Sequence, residues 1–124
     1  MAVPILKQGD YLIAAIQTAM TDTDALQLQA DLMDRVGRYR SKGIIVDVTA
    51  LDLLDSFAGR ALRTIAHMTR LRGAVTVIVG IQPDVAFAMV QLGLSLEEVD
   101  TALDLEEGLM FLDRVLRSGD HRGG

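Results

Sequence analysis

Ser56 stands between a run of β-branched residues and a stretch with helical periodicity, with Asp47, Asp52 and Asp55 ahead of it and Arg60 and Arg63 after it. A hydroxyl so placed has three chemistries open to it: capping a helix, accepting a phosphoryl group, or attacking as a nucleophile once a base activates it. The nucleophile needs an adjacent base and an orienting third group. Neither Gly-x-Ser-x-Gly nor a nearby histidine surrounds Ser56, so an enzyme built on it is the weaker reading. Three carboxylates within nine positions invite a metal or acid-base site. Calcium-loop spacing is missing, however, and aspartate is ordinary at turns, so no metal and no cofactor are expected. Capping and phosphoryl acceptance remain. Arg60 and Arg63 lie four and seven residues beyond Ser56, on successive turns of one helical face, and Arg60 is within reach of a phosphate there. His67 reads as a packed or surface residue, with no role assigned.

The elements that must position this serine follow from periodicity. Ile44, Ile45, Val46 and Val48 are nearly continuous, as in a strand covered on one face and partly on the other. Val46 and Val48 then share one face while Asp47 and Thr49 share the other. Phe57, Ala58, Ala61, Leu62, Ile65 and Met68 recur at helical spacing, giving a helix over 57–71 with Asp55 or Ser56 at its cap. Upstream, Val3 to Leu6 and Tyr11 to Ile16 flank a turn-rich Lys7-Gln8-Gly9-Asp10 and pair as a hairpin. Thr21 to Asp24 offers capping oxygens to a helix whose apolar face is Ala25, Leu28, Leu32, Val36 and Tyr39. Arg35, Arg38, Arg40 and Lys42 crowd its exit, where positive charge complements a helix C-terminus; a contact with a kinase or a paralogue is the other reading.

Downstream, the Gly-bounded run 73–80 is another strand, parallel because helices flank it. Pro83 opens a helix that Gly93 closes, with Val85, Ala86, Met89, Val90 and Leu92 as its apolar content. Val99 to Thr101 adds a short edge strand, and Asp104 to Glu107 resembles a capping box before a last helix that turns Leu105, Leu109, Leu112, Val115 and Leu116 inward. The core pattern stops there. Residues 118–124, which include His121, are glycine-rich and polar and read as a disordered tail, leaving one domain over 1–117. The terminal Gly-Gly has nothing upstream to support a conjugation role. The order β-β-α-β-α-β-α-(β)-α gives an α/β fold, a mixed sheet with helices mainly on one face.

At 124 residues the chain fits one domain. It is 50% hydrophobic but only 4% aromatic, so Leu, Val, Ile, Ala and Met must build the core. A net charge of −5 without a basic run argues against nucleic acid as a partner. The chain holds no cysteine, which removes disulfide and thiolate chemistry and suits a reducing cytoplasm. No run of about 18 apolar residues is present to span a membrane. Without a P-loop or kinase signature set, the chain is not expected to turn over ATP.

Asp55-Ser56-Phe57-Ala58-Gly59, with the strand and turn ahead of it, resembles the phosphorylation segment of STAS domains, the family that includes antagonists of anti-sigma factors. Gly80 to Ala86 with Gln91-Leu92-Gly93, and Thr101 to Leu109, narrow the resemblance to the short scaffold proteins of the bacterial stressosome. It runs from Val3 to about Leu116. The resemblance implies a single STAS domain in which Ser56 is phosphorylated by a serine kinase that the unmodified protein holds. It implies a docking rim of Asp52, Asp55, Phe57, Gly59 and Arg60. It also implies sensor-bearing STAS paralogues in a large assembly, self-association, and a serine phosphatase that resets Ser56. A simple anti-sigma-factor antagonist is the alternative. There a small residue and then glycine commonly follow Asp-Ser directly, whereas Phe57 and Ala58 intervene here.

Overall fold

The structure, a computed structural model, describes residues 3–93 and 99–123. Strands β1 (Ile5–Gln8) and β2 (Tyr11–Ala15) form the expected hairpin, antiparallel, with Gln8 opposite Tyr11. Gly9 at the turn has φ +59, a left-handed conformation that costs a glycine nothing. From β2 onward every neighbour is parallel: β3 (Gly43–Asp47), β4 (Val75–Val79) and β5 (Asp100–Ala102) follow in the sheet in chain order. Parallel neighbours need crossovers. Helices α1 (Asp22–Tyr39), α2 (Ser56–Leu71) and α3 (Pro83–Gln91) supply them, and α4 (Leu105–Gly123) ends the chain.

The sheet has a core on each side. Leu12, Ala14, Ile44, Val46 and Ile78 point to the face covered by Leu28, Leu32 and Val36 of α1, Leu62 and Ile65 of α2, and Val85 and Met89 of α3. Ile13, Ile45, Val77 and Val79 point the other way and are met by α4, chiefly through fully buried Leu112. Among the described residues, three helices thus share one face and α4 covers the second. This explains the unbroken apolar run of β3, whose Ile44, Ile45 and Val46 are all at 0% exposure. Gly43 fits beneath α4 because a Cβ there would lie 2.9 Å from Leu112 Cδ1 and from the Tyr11 ring.

Local chemistry sets the helix ends. Thr21 and Asp24 form a full capping box on α1, each side chain taking the other's backbone N–H at 3.1 Å. The Thr21 N–H also holds the Asp24 carboxyl below its ordinary range. Asp104 accepts from Glu107 N at 2.9 Å at the start of α4, as the capping pattern predicts.

Five apolar assignments change: Tyr39, Ala86, Val90, Leu92 and Val115 are exposed. Tyr39 is 42% exposed, because the buried stripe of α1 ends with Val36, and its ring instead lies beneath the Lys7 ammonium. Val90 is 78% exposed, since α3 buries only Val85 and Met89, and Val115 also reaches the surface. The α4 backbone continues to Gly123, past Leu116 and through the stretch expected as a tail, because helix propagation adds a hydrogen bond per residue without needing apolar content. The His121 side chain lies outside the described residues.

Candidate functional site

The loop from β3 to α2 is held from beneath. Val48 N–H extends the sheet by donating to Val79 O at 3.0 Å, Leu51 N–H closes a turn onto Val48 O, and Leu51 and Leu54 are buried. With these two anchored, Asp52, Leu53 and Asp55 face outward, Leu53 at 65% exposure. Asp47 works inside the loop. Its Oδ1 accepts from Thr49 N at 2.9 Å and from Thr49 Oγ1 at 2.6 Å, and Thr49 O takes the Gln82 side-chain amide from the start of α3. Gly80, at φ +78, lets this happen: a Cβ on it would lie 1.9 Å from Thr49 Oγ1. Asp47 is therefore a turn-forming residue. Among the described residues no three His, Asp or Glu side chains gather as metal ligands would.

The ambiguity over the cap is resolved by Asp55. With φ −82 and ψ 172 it is the N-cap of α2, and its Oδ1 accepts from Ala58 N at 2.8 Å. Ser56 is the first helical residue and half-buried, and its hydroxyl bonds to none of the described residues. It is released from the capping duty that a serine at such a junction would ordinarily serve. The N–H groups of Ser56 and Phe57 also have no intrahelical acceptor, as the first turn of any helix dictates. A dianion on Ser56 would sit at the positive end of a 16-residue helix beside two open donors. Arg60, exposed one turn further on, adds a cation. The carboxylate of Asp55 opposes them by like charge, and no residue in the first turn of α2 is acidic.

The expected rim separates on inspection. Asp52, Asp55 and Arg60 are exposed and Phe57 is half-buried, so these can meet a partner. Gly59 cannot. It is buried with Ala58, Leu62 and Ala66, because position 59 falls three and seven residues before two inward positions of the same helix. Arg63 is half-buried and His67 exposed. Sequence reading overlooked Leu53 and the Gln82 tie. The spacing of Leu51 and Leu54, three apart, was the signal that Leu53 would point outward.

Comparison with known proteins agrees with this architecture. The STAS domain family matches residues 2–108. A serine-to-glutamate variant of RsbS from Moorella thermoacetica is 36% identical, with a TM-score of 0.81 over 93% of this chain and 97% of that one. A chain from the molecular architecture of the stressosome, described as a signal integration and transduction hub, is also 36% identical, with a TM-score of 0.78 over 92% of this chain and 99% of its own. The RsbT co-antagonist RsbRA of Bacillus subtilis (strain 168) is 24% identical over 110 residues; this chain spans 40% of that protein's length. The chain belongs to the STAS domain family, and within it resembles the RsbS proteins of the stressosome over nearly its whole length.

Proposed function

We propose that this protein is a phospho-regulated scaffold of a stressosome that holds an RsbT-like serine kinase while Ser56 is unmodified and releases it once Ser56 is phosphorylated. The observation that carries this reading is the division of labour at the start of α2, where Asp55 caps the helix and leaves the Ser56 hydroxyl half-exposed and uncommitted. The kinase meets the rim of Asp52, Asp55, Phe57 and Arg60. The chain itself supplies no turnover; the base and the ATP come from the kinase, and a serine phosphatase resets the site. RsbR-like STAS paralogues complete the assembly. Its setting is the cytoplasm, and among the described residues no helix is long and apolar enough to cross a membrane.

Release follows from charge. Phosphorylation adds about −1.5 to −2 units at neutral pH. The helix terminus and Arg60 accommodate that charge within the folded chain, whereas a kinase surface fitted to a neutral hydroxyl beside Asp52 and Asp55 must desolvate a concentrated negative patch. The test is to incubate the purified chain and its Ser56→Ala variant with the kinase and labelled ATP, then to measure the kinase's affinity for modified and unmodified protein by calorimetry. Label on the wild type alone, with weaker binding afterwards, is expected. Equal affinity for both forms defeats the release mechanism. A pull-down from the native cell separates this reading from a simple anti-sigma-factor antagonist: a large assembly with STAS paralogues is expected, in place of a small complex with an anti-sigma factor.

A further inference from the structure

The turn between β4 and α3 comes closer to the β3–α2 loop than either element needs for its own sake. Gln82 is the N-cap of α3, with φ −72 and ψ 154, yet its side chain makes no cap hydrogen bond. A side chain at that position ordinarily accepts from an N–H of the helix's first turn. The Gln82 amide instead leaves its own helix and donates from Nε2 to the carbonyl of Thr49, 33 residues away in the chain. Two residues before it, a Cβ on Gly80 would lie 1.9 Å from Thr49 Oγ1 and 3.0 Å from Thr49 Cα, so the close approach extends to the threonine backbone.

Among the described residues, the loop over 48–54 is thinly bonded. Val48 N–H crosses to Val79 O at 3.0 Å, Leu51 N–H closes back onto Val48 O at 2.9 Å, and Thr49 N–H is taken by Asp47. Beyond Val48, the hydrogen bond to another element is the one from Gln82. Leu51 and Leu54 anchor the loop by burial, while Ala50, Asp52 and Leu53 stand in water. A segment with so few bonds opens locally at low cost, and one hydrogen bond of ordinary strength shifts such an opening by about threefold to tenfold. Ser56 is held differently. Helix α2 fixes it through the Asp55 cap, so the loop positions Asp52 and Leu53 and the helix positions the hydroxyl.

We propose that Gln82 is a positioning residue for the phosphorylation of Ser56: its amide latches the β3–α2 loop, so that Asp52 and Leu53 are already in place beside the serine when the kinase docks. This rests on the reading of Ser56 as the phosphoacceptor. Gln82 acts through Thr49 and not on the reacting atoms. A loop ordered in advance spares the complex the cost of ordering it. Loss of the latch therefore raises KM for the chain as a substrate and leaves kcat in place, because α2 presents the docked hydroxyl in either case.

The test compares the full chain with two variants. Gln82→Met removes the donor at nearly constant length and adds no charge; Gln82→Lys puts a donor back. Amide hydrogen exchange at Thr49 and Leu51 reads the loop without any kinase, and initial rates of Ser56 labelling by the kinase, over a range of chain concentrations, separate KM from kcat. Gln82→Met is expected to melt near the wild-type temperature, to exchange those two amides about threefold to tenfold faster, and to raise KM by a similar factor with kcat within about twofold. Gln82→Lys is expected to return both readouts toward the wild type. Unchanged exchange in Gln82→Met, faster exchange with an unchanged KM, a fall confined to kcat, or one KM shared by the two variants would each overturn the latch while Ser56 labelling of the wild type stands. A wild type that takes no label at Ser56 would instead defeat the phosphorylation reading, and the latch with it.

Discussion

Asp55 and Ser56 are both strong N-cap residues one position apart, and helix boundaries read from a sequence are uncertain by that much, so which of them caps α2 had to come from backbone geometry. The answer has thermodynamic consequences. Asp55→Ala is expected to lose about 1 kcal/mol of stability with the bond to Ala58 N, whereas Ser56→Ala stays within about 0.5 kcal/mol. Ser56→Asp is expected to melt near the wild-type temperature; paired denaturant titrations of the variants check the order. Tyr11 offers a separate reading by pH. Burial, then the hydrogen bond to Asp113, pushes its phenol up to about 12 from 10.0. Folding therefore favours the neutral phenol, and the contribution is complete below pH 10 and lost as pH rises toward 12. Stability measured across that window is expected to fall, and Tyr11→Phe to flatten the decline. Nothing near Tyr11 in sequence marks this, because its partner is 102 residues away.

At the scale of elements, all four helices and the strands were legible from apolar spacing and Gly or Pro punctuation. The placement of α4 was not: an apolar stripe of Leu105, Leu109 and Leu112, the last of them fully buried, states that a helix packs and is silent on which face of the sheet receives it. The tie between α2 and β4 was equally hidden. Thr69 and Thr76, at 0% and 5% exposure, share a hydrogen bond of 2.6 Å, and Thr69 Oγ1 also donates to Ala66 O. Thr69→Val strands the Thr76 hydroxyl and is expected to cost about 1–3 kcal/mol, while Thr76→Val leaves Thr69 a partner and costs less. The double variant is expected to fall short of the sum in urea denaturation, which additivity of the two losses would refute.

For the whole molecule, packing bounds the domain more clearly than helicity does. Among the described side chains of α4, Leu112 is the last that is fully buried and Leu116 is half-buried, although the backbone stays helical to Gly123. Removing residues 118–124 is expected to leave the melting temperature and the size of any assembly with STAS paralogues unchanged by light scattering; collapse to monomers would place an interface in that segment. The strand order carries a consequence of another sort. In doubly wound sheets the strand order reverses once, helices diverge to opposite faces at that point, and small ligands settle in the crevice so opened. Here β2, β3, β4 and β5 step one way without reversal, and α1, α2 and α3 stay on one side. Among the described residues, the strand order sets up no switch-point crevice beside Ser56. The carboxyl edge of this sheet instead presents Asp52, Leu53 and Asp55 outward beside half-buried Ser56, so that whatever modifies the serine meets it on an open surface and not at a switch point of the sheet.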